Sequence, residues 1–172
     1  MAIREIIVAP DPRLKITAKP VKKVDGEVRR LMDDMLETMY RANGIGLAAP
    51  QIGSDLRVVV CDVARQNEEA QPIHLANPEV VWASDELLLR EEGCLSVPDH
   101  YAEVERPSEV KIRYLDRDGK EQELHAKGLL SVCLQHELEH LDGTLFIDHL
   151  SRMKRDIILR KLKKTAKLAE PA

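Results

Sequence analysis

The chain has 172 residues, 44% of them hydrophobic and 33% charged, which fits one globular domain large enough to bury its own core. Three widely spaced cysteines (Cys61, Cys94 and Cys133) exclude a disulfide scaffold and fit a reducing compartment. There is no membrane-length apolar run, and Asp11-Pro12 interrupts the N-terminus before a signal-peptide core could form, so the reading is a cytoplasmic protein with no membrane partner. The net charge of −4 is uneven, with +6 in residues 151–172 and −10 in the first 150. An acidic body disfavours nucleic-acid binding, whereas the basic tail suits either an anionic partner or simply a solvated helix face.

The first predicted helix runs from Asp25 to Arg41. Val28, Leu31, Met32, Met35, Leu36 and Met39 recur there at three- and four-residue steps, on one face. Asp25 is suited to cap its start, and Asn43-Gly44 tolerate a left-handed exit. After the loop GIGLAAPQIG, the valine-rich run at 56–63 is short and β-branched, the pattern of a buried strand. Several short extended segments follow from 71 to 126. Among them Val110, Ile112 and Tyr114 alternate with Lys111 and Arg113, and Asp116-Arg117-Asp118-Gly119 reads as a hairpin turn into 120–126. A second helix is predicted from Leu129 to Leu141, between Gly128 and Gly143. A third, basic and amphipathic, covers 152–168 with Ile157, Ile158, Leu162 and Leu168 as its apolar side. Strands grouped in the middle with helices outside them indicate an α+β fold.

The second helix carries Gln135-His136-Glu137-Leu138-Glu139-His140, which contains H-E-x-x-H. Residues four apart share a helix face, so His136 and His140 can meet one ion, while Glu137 leans over it as a general base without ligating. Leu129, Val132 and Cys133 extend the same stripe toward the core, and buried imidazoles need partners. The third ligand of the common zinc proteases is missing, because His149 does not stand at the H-E-x-x-H-x-x-G-x-x-H spacing. Upstream, Cys94 sits among residues that read as a turn. Cys61 in the valine run and Cys133 on the helix stripe read instead as buried small hydrophobes. The five-residue pattern alone leaves a zinc endoprotease open, and also a metal-stabilised binding module organised around the basic tail. A closed four-ligand site would favour the module, but His100, His125 and Cys133 have no matching spacing.

Three segments occur in order: Gly44-Ile45-Gly46-Leu47-Ala48-Ala49-Pro50-Gln51, Glu92-Gly93-Cys94-Leu95-Ser96, and Gln135 through His140. Together they resemble the three signature motifs of the peptide deformylase family. The resemblance runs from the N-terminus to the final helix, and the family often carries Asp where this chain has Glu139. It implies one catalytic domain over 1–172, with antiparallel or mixed β-sheets packed around a central metal-binding helix. Residues 151–172 would form a basic C-terminal helix like that of the family's Gram-negative-type branch.

By the same resemblance Cys94, His136 and His140 are metal ligands with water in the fourth position, an open arrangement typical of catalytic rather than structural centres. The implied ion is ferrous iron, which zinc or nickel can replace. Glu137 is then the general base, with the Gln51 side-chain amide and the Leu95 backbone N–H as oxyanion donors. Ile45 and Gly46 would pair with the substrate backbone, and Ile45, Leu129, Val132 and Cys133 would wall a methionine pocket. The implied reaction is hydrolysis of the formamide on the N-terminal methionine of a newly made polypeptide, releasing formate. Some members dock on the ribosome through such a helix, which makes the ribosome a candidate partner.

Overall fold

The computed structural model describes residues 2–169. Helix α1 (Gly26–Arg41) begins where the Asp25 carboxylate accepts the Val28 N–H at 3.0 Å. It buries Val28, Leu31, Met32, Met35 and Met39 on one side, as the spacing predicts. The left-handed exit falls on Asn43, at φ 58°.

Strands β1 (Gly46–Ala48), β2 (Val58–Cys61) and β3 (Ile73–Ala83) begin a five-stranded sheet. Strands β4 (Leu87–Cys94) and β5 (Val97–Pro107) leave it to form a separate two-stranded ribbon. Strands β6 (Glu109–Leu115) and β7 (Glu121–Lys127) then complete the sheet in the order β1-β2-β3-β6-β7. The five strand ladders are all antiparallel, one of the two sheet types expected, and an isolated parallel bridge joins Lys19 to Leu56. Short connections suffice for antiparallel neighbours, whereas a parallel pair needs a long crossover. The Asp116–Gly119 turn joins β6 to β7, with Gly119 at φ 81°.

The four residues of β2 are all fully buried, and their alternation explains the layering. Val58 and Val60 face α1 together with Leu47 and Ala76, in a cluster that includes Met32, Met35 and Met39. Val59 and Cys61 face the opposite way, toward Cys133, Leu134 and Leu138 of α2 (Gly128–His140). The sheet is therefore covered on both faces. A third cluster joins Ile7, Ala9 and Leu14 to Val97 and Val104 of the ribbon, and to Leu145, Phe146 and Ile147. Leu162 of α3 (Arg152–Ala169) seals this cluster.

Two helices depart from expectation. The apolar side of α3 consists of Ile158, Leu159 and Leu162, while Ile157 is 39% exposed. The side chain of Leu168 lies outside those described. Helix α2 is not one-faced: Ser131, Val132, Cys133, Leu134, His136, Glu137, Leu138 and His140 are all buried. The sheet covers one flank and the β4–β5 ribbon, with the segment after α2, covers another, so a helix read as a stripe becomes a core element.

Candidate metal centre

Two separate pieces of chain converge on α2. Cys94 closes β4 opposite Val97, after a register shift that follows Glu92. This puts the thiol at the lip of the ribbon, at the strand end just before the turn read from the sequence. Gln51 lies in the short 3-10 turn Ala49–Ile52. Its backbone carbonyl accepts the Ile7 N–H at 2.7 Å, so the N-terminal segment holds this turn in place. His136 and His140 are one helical turn apart, with ring centroids 5.1 Å apart.

Cys94, His136 and His140 each offer one ligand atom, and these atoms lie within 4.8 Å of one another. Cys94 Sγ is 3.4 Å from His140 Nε2. The Gln51 side-chain oxygen accepts the Ala48 N–H at 2.9 Å, which turns its Nε2 toward Ser96 Oγ at 3.0 Å and Cys94 Sγ at 3.6 Å. Glu137 Oε1 stands 3.8 Å from His140 Nε2. Of the four buried side-chain atoms without a hydrogen-bond partner among the described residues, two, Glu137 Oε1 and His140 Nδ1, lie here. One thiol and two imidazoles at this spacing match the donor set of a borderline divalent ion such as zinc or iron. A buried carboxylate oxygen with nothing to accept from fits a site that takes up further groups.

The electrostatics agree with a cation site. Burial works against a charged His136, but Glu137, Cys94 and Glu92 outweigh it and hold its pKa well above the ordinary value. Burial drives His140 well below it, and the neighbouring His136 and Arg106 push the same way. Burial also pushes Glu137 up to about 7, with His136 and Arg106 pulling down and Glu92 pushing up. A carboxyl poised near neutrality suits a group that must accept and return a proton.

Outside the ligands lies a charged frame. His136 Nδ1 is 3.0 Å from Glu92 Oε1, which leaves Nε2 for the centre. Glu92 in turn takes two hydrogen bonds from Arg106, at 2.6 and 2.9 Å. Burial would raise the Glu92 pKa, but His136 and Arg106 hold it below the usual carboxylate range. Ligand histidines commonly donate their second nitrogen to such a carboxylate, which fixes the ring. Sequence reasoning gave Glu92 and Arg106 no role. The available signal was strand alternation: Val104 and Arg106 share the inner face of β5, and an arginine there demands buried acids.

A cleft of about 450 Å³ opens over the centre. It is lined by Ile45, Gly46, Gln51, Cys94, Leu95, Leu129, Val132, Cys133, His136 and Glu137. Every residue singled out from the sequence is thus at the cleft except His140, which is fully buried beside Cys94. The mouth adds Arg90, Asp99 and Tyr101, which the sequence did not suggest.

The two loop glycines serve the interior first. A Cβ on Gly46 would stand 2.7 Å from Glu137 Oε2 and 2.8 Å from Cys133 Sγ, and one on Gly44 would stand 2.7 Å from Leu95 Cδ1. Close approach is required, but by these side chains of the same molecule. The Ile45 carbonyl accepts the Asp62 N–H at 2.8 Å, and Gly46 pairs with Cys61. Alternation along an antiparallel ladder then turns the Gly46 N–H and C=O to the open edge of β1. The Cys61 and Cys133 thiols are buried, as read. A hydrogen bond with Cys61, and then burial, pushes the Cys133 pKa well up, so this thiol stays protonated although it lines the cleft.

Residues 3–156 match the family model described as polypeptide deformylase. The chain is 61% identical to the peptide deformylase of Phenylobacterium zucineum over 169 residues, covering 98% of this chain and 100% of that one. It is 60% identical to that of Methylocella silvestris over 171 residues, covering 98% and 87%. Among solved structures, the crystal structure of peptide deformylase from Ehrlichia chaffeensis superposes with a TM-score of 0.93 at 39% identity, covering 97% of this chain and 98% of that one. A peptide deformylase from Legionella pneumophila superposes at 0.89 with 46% identity, covering 99% and 100%.

Proposed function

The chain belongs to the polypeptide deformylase family, metal-dependent hydrolases that remove the formyl group from the N-terminal methionine of nascent polypeptides, and on that premise we propose how its residues divide the work. The whole of 1–172 acts as one catalytic unit, with Cys94, His136 and His140 holding the ion. What a bound ion supplies is Lewis acidity, which activates water near neutral pH and polarises a carbonyl. The ion is ferrous iron, and zinc or nickel can replace it.

Glu137 takes a proton from the attacking water and returns it to the departing methionine amine, so formamide and water become formate and a free amino terminus. As the formyl carbon becomes tetrahedral, Gln51 Nε2 and the Leu95 N–H donate to the developing oxyanion. The open edge of β1 at Ile45 and Gly46 takes the substrate backbone as an added strand. Ile45, Leu129, Val132 and Cys133 receive the methionine side chain. The single observation that supports this reading best is the convergence of one thiol and two imidazoles within 4.8 Å beneath an open cleft.

The test is formate release from a formyl-methionyl peptide, run beside elemental analysis of protein purified without oxygen. Cys94→Ala is expected to lower metal content and formate release together, while Cys61→Ala leaves both unchanged. Equal loss in the two variants, or cleavage inside unformylated peptides, would overturn the assignment.

The basic helix α3 supports a second part of the proposal, docking on the ribosome, where formylated chains emerge in the cytoplasm. Lys161, Lys163 and Lys164 are exposed along it, and ribosomal RNA is anionic. Changing all three to glutamate should abolish salt-sensitive co-sedimentation with ribosomes; undiminished binding would refute the docking.

A further inference from the structure

The short 3-10 turn Phe146–His149 lies between α2 and α3, and it touches the His136 ring by two independent routes. The Phe146 ring stacks on it, with centroids 5.9 Å apart and planes at 27°. Along the second route, His149 Nε2 stands 2.7 and 2.9 Å from the two Glu139 oxygens, so this nitrogen carries the hydrogen. Glu139 Oε1 accepts from Arg106 Nη1 at 2.5 Å. Arg106, only 4% exposed, donates to Glu92 through Nε and Nη2, and Glu92 Oε1 meets His136 Nδ1.

We propose that Glu139 and His149 are positioning residues for the metal centre, acting through Arg106 and Glu92 to fix the orientation of His136. This inference rests on the reading of His136 as a ligand. The stack with Phe146 sets the plane of the imidazole but leaves it free to turn within that plane. The hydrogen bond at Nδ1 removes this freedom, provided Glu92 is itself held. Glu92 is held by a guanidinium whose Nη1 has no hydrogen-bond partner other than Glu139 among the described residues. A buried, partly paired guanidinium shifts toward whatever acceptor remains. His149 completes the chain by clamping the far side of the Glu139 carboxylate. Glu139 is itself no ligand, because its oxygens are taken up by Arg106 and His149.

The experiment is equilibrium binding of cobalt(II) to metal-free protein by chelator competition, with the cobalt absorption spectrum as a second readout. Loss of an outer partner of a metal ligand typically weakens binding about 10–100-fold. Glu139→Ala should fall near about tenfold, with a shifted cobalt spectrum. His149→Ala, at a residue 38% exposed on its side chain and so no threat to folding, should weaken binding in the same direction by less. Because His149 acts through Glu139, the double variant should bind no more weakly than Glu139→Ala alone. Cobalt affinity and spectrum unchanged in both single variants, or fully additive losses in the double, would overturn the proposal, even if thermal stability fell. His136→Ala separates the two claims: retained tight binding there would remove the ligand assignment itself, whereas its loss beside unaffected Glu139 and His149 variants would remove only this inference.

Discussion

Helices α1 and α2 cover opposite faces of the same sheet, yet they bury charge for different ends. Helix α1 presents one apolar side and places a single acid, Asp34, in its buried set. That acid is fully satisfied: it accepts Arg4 Nη2 at 2.8 Å, Arg4 Nε at 3.1 Å and the Ala2 N–H at 2.8 Å, so it ties the N-terminal segment down. Helix α2 buries His136, Glu137 and His140, and leaves Glu137 Oε1 and His140 Nδ1 without partners among the described residues. A satisfied buried polar group stabilises the fold; α1 also leaves one oxygen, Glu37 Oε2, unpartnered, but the two unpartnered atoms of α2 lie beside the Cys94 thiol and paired imidazoles, where something else can bind.

Three changes sharpen that contrast. The largest effect is expected at Glu137. Glu137→Gln should leave metal content near that of the parent protein and reduce formate release by about 10²–10⁴-fold, the usual reach of general acid–base catalysis. Activity at the parental rate in the metal-loaded variant would mean that the unpartnered carboxylate has another purpose.

On α1, Met35 is fully buried against the sheet, and Met35→Ala should cost about 2–5 kcal/mol in denaturant unfolding. Turnover per folded molecule should stay unchanged; a matching loss of turnover would show that the sheet transmits α1 packing to the centre.

The smallest effect concerns Asp34. Burial raises its pKa, but Arg4 and the Ala2 N–H outweigh burial and hold it below the ordinary carboxylate value. A depressed folded pKa contributes stability above the unfolded value, about 3.9, and this is lost as pH falls through the folded one. Asp34→Asn should therefore cost about 1–3 kcal/mol at neutral pH, toward the lower end because Arg4 is half-exposed. The gap between variant and parent should close in acid. A gap independent of pH would assign the loss to packing rather than charge.

The same contrast explains what could be read in advance. The boundaries of α1 and its Asp25 cap were legible because both are local, written in spacing and in one hydrogen bond within a turn. The hairpin at Asp116–Gly119 was legible for the same reason. The ribbon β4–β5 was not resolved as a pair, since LLLREEGC has no clean alternation and its two strands have solvent on much of their surface. Along α2 the spacing located His136 and His140 correctly but suggested a stripe. The ribbon's return over the helix, which no residue of α2 encodes, turned that stripe into a buried core. For α3, the apolar side moved to Ile158, Leu159 and Leu162 because its partners are Leu145, Phe146 and Ile147, residues whose positions depend on the turn before it.

Sequence by itself determined the chemistry available to this protein: two imidazoles one turn apart, a carboxylate between them, a free thiol among turn residues, and an amide in a glycine-flanked loop. Those depend on residue identity and short spacing, which periodic structure fixes locally. Only tertiary structure decided that Arg106, near the end of a charged strand, and His149, beyond the helix, belong to the same assembly. The partners of Arg106 are 14 and 33 residues away and that of His149 is 10 away, and a buried charge chooses its counter-charges by what the fold brings within hydrogen-bond reach. Only the completed packing, likewise, made Gly46 a necessity, by pressing Glu137 and Cys133 against a backbone with no room for a side chain.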